Sequence, residues 1–199
     1  MSTHQVKTEQ TKQKILQAVY QIVKEEGVQA LSSTKIIKKA EISKGRFFHH
    51  FSQVDDLYLY ILDCFVEKLE VNLASIKFKD FEEFLHQATE YSFFLLDQSP
   101  EEIIMIFYFL GYSQHNFEYR PKFKMILNSS FKKWANDISQ YFKSDLSEKQ
   151  KEYMVRLLDM YFCGLSFHYL ILGEKKLYKE ITNSFIEMFI SFIKKEGLV

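Results

Sequence analysis

Ile15, Leu16, Val19, Ile22 and Val23 recur at steps of three and four, the period of an α-helix with one buried face. That spacing predicts a helix from about Glu9 to Glu26, after a flexible arm over residues 1 to about 8. Gly27 is expected to stop it in the left-handed conformation that glycine adopts without steric cost. Ser32 then offers an N-cap for a helix from Ser33 to about Ala40. Glu41-Ile42 makes a turn, and Ser43 caps a third helix through about His50. One long helix followed by two short ones across a tight turn is a helix-turn-helix layout. The last helix, basic at its start and aromatic in its middle, is the one that would enter a DNA major groove.

The rest of the chain also reads as helix. Leu57, Ile61, Leu62, Phe65 and Leu69 share one face of a fourth helix, from Asp55 or Asp56 to about Ser75. Further helices are expected from Asp80 to about Gln98, from Ser99-Pro100 to a break near 111–118, and from about Pro121 to Phe142. Two long ones close the chain, from Ser147-Glu148 to about Leu172 and, beyond Gly173, from about Lys175 to Lys195. With only 2 Pro and 6 Gly in 199 residues, tight-turned sheets are disfavoured, and the fold class is all-α with about nine helices.

The net charge is zero, yet its distribution is uneven. Residues 1–54 carry nine Lys/Arg and four Glu, a net +5, which leaves −5 for the remainder. A basic head on an acidic body suits a protein that presents one end to phosphate. Lys44 and Arg46 lie in the first turn of the third helix, where base edges are met; either can donate to guanine O6 and N7. Gly45 between them permits close backbone approach. Ser32, Ser33 and Thr34 open the preceding helix, and their hydroxyls and free amides are candidate phosphate donors. His49 and His50 end the recognition helix near the sugar-phosphate backbone, and Phe48 either stacks on a sugar or packs. Phe47 and Phe51 are expected to point inward against Ile15, Val19 and Ile36.

These residues resemble the N-terminal domain of TetR-type (TetR/AcrR) transcriptional regulators. The match rests on Thr11, Ile15-Leu16, Ala18, Gly27, Ser32-Ser33, Ile36, Ala40, Ser43-Lys44-Gly45, Phe47, His49-His50-Phe51 and Asp56-Leu57, without a gap. Four positions depart from the pattern. Glu41 stands where the family usually has Gly, Ile37 where it favours Ala, Phe48 for a phosphate-contacting Tyr, and Val54 for a Lys of similar role. The last two imply weaker non-specific binding and a shallower salt dependence.

The resemblance implies a DNA-binding domain over 9–55, with recognition helix about 43–50, and a helical effector-binding and dimerisation domain over 56–199. It implies a homodimer formed by the last two helices, each contributing to a four-helix bundle. The sequence is compatible. Tyr153–Leu172 is apolar on nearly every face, and Ile181, Phe185, Phe189, Phe192 and Ile193 make a stripe on the last helix. Pairing would set two recognition helices on successive major-groove faces of a palindromic operator in double-stranded DNA. The candidate effector-binding residues are Tyr91, Phe94, Phe107, Tyr108, Tyr112, His115, Phe123, Trp134, Phe167 and His168. Rings with a few polar tips suit a small hydrophobic or aromatic effector.

Other function classes find little support. There is no nucleophile elbow, Gly-rich phosphate loop or HExxH, and Cys163 and His168, five apart on a helix, do not share a face, so no enzyme is expected. Adjacent His49 and His50 diverge by about 100° on a helix, so no metal or other cofactor is expected. Cys64 and Cys163 form no CxxC or disulfide framework, which fits a reduced cytoplasmic location, and the polar MSTHQVKTEQTKQK start predicts no signal peptide. Tyr153–Leu172 is long enough to span a bilayer, but Arg156 and Asp159 interrupt it, so a buried helix is expected rather than a membrane partner. The competing reading is a helical interaction protein on the same scaffold, acting through a protein partner with weak or no DNA binding.

Overall fold

The computed structural model describes residues 3–74, 77–142 and 146–196, without the side chains of 3–5 and 69–74. Among them nine α-helices are formed and no strand. They are α1 (Thr3–Glu26), α2 (Ser33–Lys39), α3 (Lys44–His50), α4 (Val54–Ala74), α5 (Phe81–Gln98), α6 (Pro100–His115), α7 (Tyr119–Ser139), α8 (Glu148–Leu172) and α9 (Lys175–Lys195). By contact the chain divides into two compact units, Met1–Phe65 with Glu101–Phe123, and Val66–Pro100 with Lys124–Val199. The division runs through α4, and Glu101–Phe123 groups with the helix-turn-helix residues.

Local sequence chemistry sets most helix ends. Ser32, Ser43, Asp80 and Ser147 each accept a hydrogen bond from the backbone N–H three residues on. Ser147 and Gln150 complete a capping box, with Gln150 Oε1 accepting from Ser147 N at 3.0 Å. Gly173 is left-handed at φ 69°, and its N–H closes on Tyr169 O at 2.9 Å, which ends α8.

Three expectations need correction, and a fourth is narrowed. The predicted arm is helical from Thr3. Residues 3–8 contain no Gly or Pro, and once a helix is nucleated each added residue gains a hydrogen bond, so a polar extension needs no apolar face. Gly27 has positive φ but ψ of 161°, outside the left-handed helical well, and leads into a 3-10 turn at Val28–Ala30. The break expected over 111–118 falls at the end of that span and not at Gly111: α6 runs to His115, burying Met105, Phe109 and Ser113. A lone helical glycine costs only about 1 kcal/mol relative to alanine, and the turn beyond it is held by Tyr112, whose hydroxyl donates to Asp55 at 2.9 Å, and by buried Ser113. The chain turns instead at Asn116, whose Oδ1 accepts from Glu118 N and Tyr119 N, so α7 begins at Tyr119 and holds Pro121 in its first turn. At its far end α7 stops at Ser139, because Tyr141 and Phe142 bond back by three residues rather than four. Ser75, the expected end of the fourth helix, and the side chain of Leu69 lie outside the described residues.

In the first unit Ile15, Val19 and Ile22 of α1, Ile36 of α2, Phe47 of α3, Phe51, and Leu57, Ile61 and Leu62 of α4 are buried. Phe47 and Phe51 point inward as expected. In the second unit α5 packs on α8 and α9, and the core joins Phe81 and Leu85 to Met154, Val155 and Leu158 and to Ile186, Phe189, Ile190 and Ile193.

Candidate nucleic-acid interface

The turn between α2 and α3 fixes the geometry of the head. Glu41 N bonds to Lys38 O and Ile42 N to Ile37 O, both at 3.3 Å, with Glu41 in the left-handed region at φ 53°. This is a Schellman C-cap, whose left-handed position is usually glycine. Glu41 is the one non-glycine residue with positive φ among the described residues. Ser43 then caps α3 through Arg46 N at 3.2 Å. Buried Phe47 anchors the seven-residue helix from below.

With Phe47 inward, the rest of α3 faces out. Lys44, Gly45, Arg46 and His49 are exposed, His50 is half-buried, and Phe48 keeps 38% of its surface accessible. Ser32 and Thr34 are exposed and Ser33 is half-buried. A shallow groove runs between the start of α2 and the start of α3. Ser33, Thr34, Ile37 and Lys38 line one wall, and Glu41, Ile42, Lys44 and Phe48 the other. The structure therefore brings four of the nine candidate DNA contacts into one groove and leaves Arg46 and His49 exposed beside it. Lys38 and Ile42 were not singled out by sequence. The signal was present, since Thr34 and Lys38, like Lys44 and Phe48, are one helical turn apart and share a face.

Three other basic residues of the head are engaged internally. Lys35 pairs with Glu26 at 2.5 Å and Lys39 with Glu25 at 2.7 Å, fastening α2 to the end of α1. The hydrogen bond and charge of Lys35 hold the Glu26 carboxyl below its usual range. Lys12 lies over the Tyr60 ring at 4.5 Å.

The ten candidate effector residues are divided between the two units. In the first, Tyr108, Tyr112 and Phe123 join Tyr58, Phe109 and Tyr119 in an aromatic cluster, with Tyr58 stacked on Phe109 at 4.6 Å and Tyr112 edge-on to Tyr119 at 5.4 Å. Burial pushes the hydroxyls of Tyr58, Tyr112 and Tyr119 above their ordinary range. Tyr119 Oη is buried without a hydrogen-bond partner. Phe107 is half-buried. His115, expected in an irregular stretch, is exposed in the last turn of α6. In the second unit Tyr91 stacks on Phe94, Trp134 packs edge-on to Phe131 with its Nε1 buried and unpaired, and Phe167 meets His168. His168, expected to be buried, is exposed, as are Phe94 and Phe167.

In the single chain helix α8 is only partly covered. It is long and apolar enough to cross a membrane, and only 17% of its most apolar window is buried. Met154, Val155, Leu158 and Leu165 face the core, whereas Met160, Phe167 and Ile171 stand exposed at helical spacing. On α9 the predicted stripe splits: Phe189 and Ile193 enter the core, while Ile181 and Phe192 remain exposed beside Leu177 and Met188.

No family model matches the chain. A curated relative, the HTH-type transcriptional regulator PksA of Bacillus subtilis (strain 168), is 24% identical over 172 residues, which is 82% of this chain and 80% of the relative. Among solved structures, a transcriptional regulator from Rhodococcus sp. Rha1 superimposes with a TM-score of 0.71 at 21% identity, covering 94% of this chain and 98% of its own. A TetR transcription regulator from Haloarcula marismortui gives 0.68 at 14% identity, with 88% and 94% covered. The all-α architecture is that of the TetR-type regulators which the first third of the sequence resembles, and it extends over nearly the whole chain.

Proposed function

We propose that this chain, with its TetR-type fold, is a sequence-specific DNA-binding transcriptional regulator, a cytoplasmic repressor that grips a palindromic operator as a homodimer. The observation that carries the proposal is the head itself. A short helix, capped by Ser43 and anchored by Phe47, presents Lys44 in one groove with the Ser33 and Thr34 hydroxyls and leaves Arg46 exposed two residues on. Lys44 and Arg46 donate to guanine edges, Ser32, Ser33 and Thr34 to phosphate, and His49 and His50 reach the backbone at the far end of the helix. Pairing occurs through the exposed apolar faces of α8 and α9, which a second copy would cover. A small hydrophobic or aromatic effector, bound among the central aromatic helices, releases the operator by favouring a second conformation.

The test is selection from random duplexes by the purified protein at moderate salt. A two-fold symmetric consensus is expected. A folded dimer that enriches no sequence would favour the second reading, an interaction protein acting through a protein partner. Phe48 and Val54 speak for that reading, because neither supplies the phosphate contact that the resemblance leads one to expect at its position.

A further inference from the structure

Three phenylalanines occupy or directly follow the seven-residue α3, and they have different fates. Phe47 and Phe51 are buried, at 0% and 3% exposure, while Phe48 turns outward at 38%. Its ring stands edge-on to Phe47 at 5.2 Å and forms an apolar patch with half-buried Ile37 and Ile42 in the groove. Leaving such surface in water forfeits burial energy, and a phosphate group finds no donor on it. The walls around this patch are suited to nucleic acid: Thr34 supplies a hydroxyl, and Lys44 holds its ammonium 6.0 Å from the Phe48 ring centroid. In a DNA major groove the one apolar group displayed on base edges is the thymine 5-methyl.

We infer that Phe48 is a specificity-determining residue that reads a thymine 5-methyl in each half-site, beside the base edge engaged by Lys44. This rests on the DNA-binding reading above and deepens it. The loss of a phosphate-contacting hydroxyl at this position then has a counterpart in base readout. The half-site is accordingly expected to hold a guanine, read by Lys44, next to a thymine.

The test uses the full chain and the duplex obtained by selection. Each thymine of a half-site is replaced in turn, in both halves, by uracil, which removes only the methyl group. For the parent, one position is expected to lose about fourfold in affinity per half-site, the worth of one buried methyl group. Phe48→Ala is expected to bind thymine and uracil duplexes alike, and Phe48→Tyr, which keeps the ring, to retain the discrimination. A parent that binds all uracil-substituted duplexes as tightly as the original would overturn the inference while leaving the DNA-binding reading intact. So would a consensus without thymine. The parent's comparison decides even if Phe48→Ala fails to fold. If selection yields no consensus, the DNA-binding reading falls and this inference with it.

Discussion

The Tyr112 hydroxyl donates to Asp55 Oδ1 at 2.9 Å, fastening α6 to the first turn of α4, five residues beyond the end of the candidate recognition helix. Asn116 closes the arrangement. Its Nδ2 donates to Asp55 Oδ2 at 2.7 Å and to Tyr112 Oη at 3.1 Å, while its Oδ1 caps the start of α7. A half-buried carboxylate thus finds donors for both oxygens from one helix end. Hydrogen bonds to a charged acceptor are each worth roughly 1.5–3 kcal/mol net. Tyr112→Phe is expected to cost about 1–2 kcal/mol in urea unfolding and Asn116→Ala more, since the latter also removes a cap. The double variant should cost less than the sum, because both side chains serve Asp55. Additive losses would show that the two act separately. Tyr112, a candidate effector contact by sequence, has a structural task here that accounts for its polar tip.

Glu41 pays a conformational cost that its position does not require. At φ 53° a side chain is strained by roughly 1–2 kcal/mol, and glycine is the residue that this C-cap favours. Glu41→Gly is therefore expected to stabilise the chain by about 1 kcal/mol, somewhat reduced by glycine's greater freedom in the unfolded state. Thermal unfolding checks it. An unchanged or lowered midpoint would mean that the Glu41 side chain contributes something the backbone geometry does not reveal.

Replacing Lys44 or Arg46 by alanine should leave the circular dichroism spectrum and unfolding midpoint unchanged, because both are exposed. Binding to the selected operator should weaken by about 1–3 kcal/mol for each, which is one to two orders of magnitude. Lys38→Ala, in the groove wall but on α2, should weaken all duplexes alike and flatten the salt dependence by about one ion. Fluorescence anisotropy against operator and scrambled duplexes at several salt concentrations separates the two patterns. Equal affinity of parent and Arg46→Ala for the operator would displace α3 as the reading helix.

How much of this was legible in the sequence depends on whether one residue had one task. Ser32, Ser43, Asp80 and Ser147 announce helix starts through a single local hydrogen bond, and each lies where expected. The break expected over 111–118 was legible only as a span, because glycine marks both turns and tolerated helix interiors, and the turn is fixed by Asn116, whose Oδ1 accepts from Glu118 N and Tyr119 N. On the DNA side, Lys44 and Phe48 are adjacent by helix spacing alone. The effector side was harder to read, since aromatic rings serve a filled core and a binding cavity equally well. Tyr112 and Phe123 proved to be parts of an aromatic cluster, and Phe94 and Phe167 to be exposed, none of which periodicity can distinguish.

The exposed faces of α8 and α9 lead to a prediction about mass. Met160, Phe167 and Ile171 on one helix and Leu177, Ile181, Met188 and Phe192 on the other leave an apolar surface that water does not favour. The chain should sediment at about twice its 23.8 kDa at micromolar concentration. Met188→Glu with Phe192→Lys should yield a folded species of half that size that has lost operator affinity, because one head alone meets only one half-site. A parent monomer at micromolar concentration would refute pairing.

Asp97 offers a pH-dependent measurement within the second unit. It accepts from Lys175 Nζ and, at 2.7 Å, from Tyr169 Oη. The Lys175 hydrogen bond first, then that of Tyr169, holds its carboxyl below the usual range. A depressed folded-state value means that the ionised form is favoured by folding. The stabilisation is therefore complete above the carboxylate's unfolded pKa and is lost as pH falls through the lower folded value. Burial, with the bond to Asp97, raises Tyr169 to about 12, so its hydroxyl stays protonated and donating throughout the range examined. Comparing parent and Asp97→Asn by urea unfolding from pH 7 down to pH 3 should show a gap that narrows with acid. Lys175→Met should shrink that gap across the whole range, because it removes the principal partner. A gap that stayed constant down to pH 3 would mean that asparagine fails through geometry and not through charge.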